Sequence, residues 1–252
     1  MRLPCLLLAQ ALFVLLCLPL PFCAFAQKLK VYTQEWPPYN YEQDGKLTGY
    51  STELPQALLL EAGIDAHYSV FSWRRAFQLA STQTNTLLYT TTRLPEREAL
   101  FEWIGPIGVR KLFVFKLKER QDIQIKEKED LKKYRISIVR DSQSLQWVVN
   151  QQLFPRTHID EAPTTASNVK KLFFKRVDLI LATKGGANYE MNQLPYPKDA
   201  MEAVYVLNDE FQFYFAVNKK SDPELVKKIR LAFEKIKTSG LIESLKKKYT
   251  VD

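Results

Sequence analysis

The chain has 252 residues, with 36 Lys and Arg against 28 Asp and Glu, a formal net charge of +8 and 46 % hydrophobic residues, which is ample for one large domain or two small ones. Its three cysteines, Cys5, Cys17 and Cys23, all lie in the first 26 residues, so a mature chain without that segment has no disulfide and no thiol chemistry. The two histidines, His67 and His158, are far apart, which excludes a His/Cys metal cluster and leaves little for a Ser-His-Asp triad; no metal and no cofactor are expected.

The N-terminus reads as an export leader. Arg2 is the one charge before an apolar run from Leu3 to Phe25, and Ala24-Phe25-Ala26 is a small-x-small cleavage site. Pro4, Pro19 and Pro21 interrupt the run and argue against a membrane anchor, and Pro21-Phe22 before Cys23 argues against lipidation there. A signal peptide over 1–26 leaves about 226 residues, directed to the periplasm. The basic excess lies in runs such as Lys126–Lys133 and Lys246-Lys247-Lys248, which read as solvated helix faces, so no nucleic-acid partner is expected.

Leu29–Thr33 alternates as a first strand. Trp36-Pro37-Pro38-Tyr39 is a loop, because Pro38 forces Pro37 to be extended, and Asp44-Gly45 is a turn. Ser51 is expected to cap a helix running to about Ala62, with Pro55 in its first turn and Gly63 as its stop. A strand at His67–Phe71, a helix at Trp73–Ala80 and a strand at Thr86–Thr90 follow, an order that implies a parallel sheet with helices on its faces. Phe113–Phe115 continues extended, and the charged stretch Lys116–Lys133 comes next. The pattern then restarts with strand Ile136–Val139, helices Ser142–Gln152 and Ser167–Phe174, and strands Val177–Leu181, Ala203–Leu207 and Phe211–Val217. Two helices close the chain. Leu225, Ile229, Phe233 and Ile236 form the apolar stripe of the first, between Asp222-Pro223 and Gly240; Leu241–Tyr249 is the second.

Two β/α units joined by one extended segment out, near Val109–Phe115, and another back, near Glu210–Phe215, predict two lobes: 27–109 with 211–252, and 110–210. Ligands of open parallel sheets sit at the carboxyl ends of strands. Those ends here carry Gln34–Tyr39, Tyr89–Thr92, Arg140–Ser144 and Thr183–Gly186, all polar or aromatic. Three hydroxyls at Thr90-Thr91-Thr92, followed by Arg97, suit a small anion such as a carboxylate; the bland alternative is a polar loop with Arg97 paired to Glu96 or Glu98.

The landmarks Trp36-Pro37-Pro38-Tyr39, Asp44–Tyr50, Leu94-Pro95-Glu96-Arg97, Val177–Ile180 and Ser221–Leu225 with Gly240, in this order, resemble the periplasmic solute-binding proteins of family 3, which serve polar amino acid ABC transporters. The resemblance spans Leu29 to Tyr249, with Phe101–Pro106 in place of the family's usual aromatic-Ser-x-Pro-Tyr, as in a divergent subfamily. It implies the type II periplasmic binding protein fold: two α/β lobes, a double-crossover hinge and a central cleft. By position it implies that Trp36 covers the ligand, that Tyr89, Thr90 and Thr92 contribute lobe 1 contacts, and that Arg97 pairs with a carboxylate. It places Ser142, Gln143 and Thr183 on the lobe 2 side, with Glu35, Trp73, Arg75, Arg140, Asp141 and Lys184 as further candidates; Arg74 also lies near the presumed cleft.

Two positions depart from the family. Thr183 stands where amino acid binders carry an aspartate for the α-ammonium, and Asp141 replaces the usual glycine. Asp141, Glu35 or Glu190 could substitute, or the ligand could be a carboxylate without an amino group. The implied function is capture of a small polar, carboxylate-bearing solute by a monomer and its delivery to a membrane ABC permease, without catalysis. The alternatives are a ligand-presenting sensor subunit and an enzyme on the same fold, such as a cyclohexadienyl dehydratase.

Overall fold

The computed structural model describes residues 28–251. The expected leader, its cleavage site and the three cysteines lie outside the described residues. Two five-stranded sheets organise the rest. The first takes β1 (Leu29–Thr33), β4 (Ala66–Val70), β5 (Thr86–Thr92), β6 (Phe101–Val109) and β12 (Gln212–Asn218), in the order β4-β1-β5-β12-β6. The second takes β7 (Leu112–Leu117), β8 (Ile136–Val139), β9 (Ile159–Ala162), β10 (Leu179–Ala182) and β11 (Met201–Asn208), in the order β11-β7-β10-β8-β9. A hairpin of β2 (Tyr41–Gln43) and β3 (Lys46–Thr48) turns at Asp44-Gly45.

Each sheet is mixed rather than purely parallel. β4, β1 and β5 run parallel, as the β-α-β-α-β order predicts, and so do β9, β8 and β10. The antiparallel members are the strands that carry the chain between sheets. β6 leads through residues 110–111 into β7, and β11 leads through residues 209–211 into β12. β12 pairs antiparallel with both β5 and β6, and β7 with both β10 and β11. The two crossovers lie side by side, tied by the Arg110 N–H donating to the Phe211 carbonyl at 2.7 Å.

The inner strands β5, β7 and β10 bury both faces, and β7 and β10 read as near-continuous apolar runs. In β1, Val31 joins one core with Leu54, Leu58, Phe215 and Ile229, while Tyr32 joins the opposite one with Ala76, Leu88, Phe101 and Trp103. In β7, Leu112 and Val114 pack with Ile136 and Ile138, and Phe113 and Phe115 with Ile180 and Ala182. The helices on these faces are α1 (Tyr50–Glu61), α2 (Trp73–Thr82), α3 (Gln143–Asn150), α4 (Thr165–Phe173), α5 (Lys184–Gln193), α6 (Pro223–Thr238) and α7 (Leu241–Tyr249). α6 buries Ile229, Phe233 and Ile236 as the periodicity predicts, with Asp222 capping the Glu224 N–H at 2.9 Å and Gly240 left-handed after it.

The sequence reading differs from the structure in several elements. The N-cap of α1 is Gly49, not Ser51, at φ 109°; a Cβ there would lie 2.4 Å from the Tyr39 carbonyl oxygen, so only glycine lets the preceding loop approach. That loop then receives the first helical N–H groups, Tyr50 on Pro38 O at 3.1 Å and Ser51 on Tyr39 O at 2.7 Å. β5 runs on to Thr92, so the three threonines are strand residues rather than a loop beyond it. β6, β9 and α5 were not expected from the pattern. Gly105-Pro106 breaks β6, Asp160-Glu161 makes β9 look polar, and Gly185-Gly186 weakens α5.

Candidate functional site

A cleft of about 770 Å³ opens between the two sheets, within the range that holds a small molecule. Its wall is built from strand ends. Gln34–Pro37 follow β1, Phe71–Arg74 follow β4, and Thr90 and Thr92 come from β5. From the other sheet come Arg140–Ser144 after β8, Pro163–Ala166 after β9, and Thr183, Gly186 and Glu190 after β10; Arg110 and Phe213 stand at the crossovers.

On the first side, Trp36 packs against Tyr39 and edge-on to Phe213, with ring centroids 4.7 and 5.6 Å apart, so it is at once core and wall. Thr90 is buried at φ 59°, a backbone that β-branched residues rarely adopt. Its hydroxyl donates to Asn40 Oδ1 at 2.7 Å, and Asn40 Nδ2 donates to the Gln34 carbonyl. This chain of bonds ties the β5 end to the Trp36 loop. Arg97 ends a short 3₁₀ turn, Pro95–Arg97, and is 6 % exposed. Its guanidinium lies 5.4 Å from the Trp73 ring centre and 5.0 Å from that of Phe77, and Nη1 donates to the Thr92 carbonyl at 3.2 Å. Of the two bland partners expected for Arg97, Glu98 pairs with Arg93 instead, at 2.7 Å, and Glu96 makes no ion pair with Arg97, acting on it only through its charge. Burial lowers the Arg97 pKa from its ordinary value, opposed by the Glu96 charge.

On the second side, Asp141 has φ 55°, which explains a glycine preference there and why Asp is tolerated. Ser142 caps α3. Its hydroxyl accepts from the Leu145 N–H at 3.1 Å and donates to the Val139 carbonyl at 2.6 Å, so its bonding is spent within the loop. Thr183 caps α5 in the same way, accepting from the Gly186 N–H at 3.1 Å. Glu190 lies on the same helix, half-buried, and burial raises its pKa against the lowering effect of Lys170. It has no ion-pair partner among the described residues.

Of the residues singled out in the sequence, Trp36, Thr90, Thr92, Ser142, Gln143, Thr183, Glu35, Trp73, Arg140, Asp141, Arg74 and Glu190 line the cleft. Tyr89, Arg97, Arg75 and Lys184 do not. Tyr89 is 1 % exposed, bonds to Thr52 and has its phenol pushed up to about 12 by burial. Arg97 sits one side chain behind the wall, under Trp73 and Thr92, both of which line it. Arg75 lies over Phe71, and the ammonium of Lys184 over Phe113.

The residue that sequence reasoning missed is Arg110. Its guanidinium lies 5.3 Å from the Trp36 ring and 5.9 Å from that of Phe211, Nη1 donates to Gln143 Oε1 at 2.9 Å, and Nη2 to Ser144 Oγ at 2.5 Å. The signal available was an arginine in the short link between two long strands, which tertiary structure alone turns inward. Among the described residues, no group of three or more His, Cys, Asp and Glu is placed to hold a metal ion, and no helix is long and apolar enough to cross a membrane.

The sequence model of the family described as bacterial extracellular solute-binding proteins, family 3, matches residues 29–252. A probable histidine-binding protein of Campylobacter jejuni is 23 % identical over 228 residues, which cover 89 % of this chain and 85 % of the relative. Among solved structures, a histidine kinase sensor domain with similarity to periplasmic binding proteins has a TM-score of 0.77 at 18 % identity, covering 88 % of this chain and 96 % of that one. An ancestral arginine-binding protein bound to arginine has a TM-score of 0.74 at 20 % identity, over 88 % of this chain and 97 % of that one. These likenesses establish the fold as the two-lobed α/β architecture of type II periplasmic binding proteins.

Proposed function

The chain belongs to the bacterial extracellular solute-binding proteins of family 3, and from that membership we propose that it captures a small carboxylate-bearing solute, an amino acid or a related acid, between its lobes in the periplasm and delivers it to an ABC-type permease. The observation that carries the reading is Arg97: a guanidinium 6 % exposed, against the cleft wall, with no carboxylate within ion-pair distance among the described residues. A buried charge without a counter-ion is costly, and a ligand carboxylate is the natural remedy. The lobes, 27–109 with 211–252 and 110–210, are the units that would close on the solute about the two crossovers. Thr92 and Thr90 would supply hydroxyl and backbone contacts, and Trp36 would cover the aliphatic part.

Thr183 cannot pair an ammonium as aspartate does, so an α-amino group is not essential in this reading; Glu190, on the wall, is the alternative partner for one. The solute would be released unchanged, with no turnover of prephenate, arogenate or peptidoglycan. The test is a thermal-shift screen of the exported protein against amino acids, their deaminated counterparts and other small acids, since a ligand that binds only the folded state raises the midpoint. A solute found in this way should lose about 2–5 kcal/mol of binding in Arg97→Ala, with the fold retained. Failure of every small acid to shift the midpoint, or unchanged affinity in Arg97→Ala, refutes the reading.

A further inference from the structure

Arg110, 6 % exposed, is a buried cation that lines the cleft, as Arg97 does not. It stands at the crossover, between the aromatic faces of Trp36 and Phe211. Its side-chain hydrogen-bond partners are neutral oxygens, Gln143 Oε1 and Ser144 Oγ, and its Nε and the neighbouring Gln143 Nε2 are buried without a hydrogen-bond partner. No carboxylate lies within ion-pair distance of it among the described residues. The other charges on the wall are three carboxylates, Glu35, Asp141 and Glu190, and the two arginines Arg74 and Arg140, and of these Glu35, Asp141, Arg74 and Arg140 are exposed and solvated.

The surroundings make this cation's position worse. Gln143 and Ser144 are the first residues of α3, so the positive end of the helix dipole faces a positive guanidinium. Burial, the largest cause, holds the Arg110 pKa down at about 10; Tyr39 opposes it and the charge of Arg97 adds to it. One buried guanidinium, one helix N-terminus and two unpartnered buried donors meet at this point of the cleft wall, within reach of the charge of Arg97. Each of these is unfavourable alone and is relieved by negative charge.

We propose that Arg110 is a second anion-binding point in the cleft, and that the solute is a small diacid: one acid group directed to Arg97, the other to Arg110 and the N-terminus of α3. This rests on the solute-capture reading above and names its ligand class. The unpartnered Nε–H of Arg110 and the unpartnered Nε2 of Gln143 supply donors of the right kind for a carboxylate. Because Arg110 belongs to the crossover and Gln143 to the second lobe, an anion held there also links the hinge to lobe closure.

The experiment uses two matched pairs, succinate with succinamate and L-glutamate with L-glutamine, titrated calorimetrically into the exported protein, Arg110→Gln and Arg110→Lys. In at least one pair the diacid should bind about tenfold tighter or more than its monoamide, a site that pairs an acid group rejecting the analogue that lacks it. Arg110→Gln should bring that ratio near one, and Arg110→Lys should retain part of it. Amides that bind as well as the acids, or a preference that survives in Arg110→Gln, overturn the proposal while leaving solute capture intact. If Arg110→Gln does not fold, the acid-to-amide ratio of the unmutated protein decides. If none of the four compounds binds but another small monoacid does, in an Arg97-dependent manner, the diacid class is wrong and capture stands. If no small acid binds at all, both readings fall.

Discussion

Thr90 shows how a single residue holds the cleft in shape. Its left-handed backbone stores strain of about 1–3 kcal/mol, a cost met by the surrounding bonds. Its hydroxyl is the donor to buried Asn40 Oδ1. Thr90→Val keeps the shape and removes the donor, leaving an acceptor buried and unsatisfied. Its expected cost is about 1–3 kcal/mol in urea unfolding, against little change for an exposed Thr→Val elsewhere. Glu190 gives a pH test. Its folded pKa is raised above the ordinary 4.5, so between that value and the raised one the folded state holds a proton that the unfolded state has lost. Stability therefore falls as pH rises through this window. Glu190→Gln abolishes that fall: its melting midpoint should exceed that of the parent at pH 7 to 8 and converge with it below about pH 4. A constant difference at all pH values would show that Glu190 does not titrate in this way.

At the scale of elements, the lobe 2 wall depends on helix starts. α3 and α5 begin at Ser142 and Thr183, each a serine or threonine whose hydroxyl satisfies a first-turn N–H. Ser142→Ala should cost about 1 kcal/mol of stability by loss of that cap. Because the hydroxyl is already committed within its loop, the effect on solute affinity should be smaller than that of Arg97→Ala. A loss of affinity as large as that of Arg97→Ala would show that Ser142 instead turns its hydroxyl to the solute. α7 is tied back to α1 by Lys248 on Glu53 at 2.7 Å and by Tyr249, whose hydroxyl also meets Thr48 at 2.9 Å. These contacts bring the last turn of the chain to the first lobe.

At the scale of the molecule, the lobes meet where α5 rests on the Trp36–Asn40 loop. A Cβ on Gly185 would lie 3.2 Å from Val251 Cγ1, 3.5 Å from the Tyr39 hydroxyl and 3.6 Å from Pro38 Cγ, and nearby Tyr41 and Tyr189 are edge to face with centroids 5.3 Å apart. Gly185→Val places bulk in this seam. Overpacking of about 1–3 kcal/mol should then oppose the closed arrangement. Small-angle scattering of the parent should show compaction on adding the solute found in the screen, and the variant should compact less and bind more weakly. Equal compaction and affinity would mean that the seam is not part of closure.

What the chain determined locally is what short-range physics controls. β1, β4, β8 and β10, the stripe of α6, the Asp222 and Gly240 stops, and the polar strand ends are all legible because apolar period, caps and turn residues act within a few positions. Most of the candidate wall was legible for the same reason, since strand ends place their loops on one edge of a sheet. The mixed sheets, the burial of Arg97 behind Trp73 and the inward turn of Arg110 were not. Each depends on partners 20 or more residues away: β12 on β5 and β10 on β7 for the sheets, Phe77 and Trp73 for Arg97, and Trp36, Gln143 and Phe211 for Arg110. An arginine in a sequence is by default a solvated surface charge; only tertiary packing can strip its water and leave it buried without a counter-ion, in the cleft wall for Arg110 and behind it for Arg97.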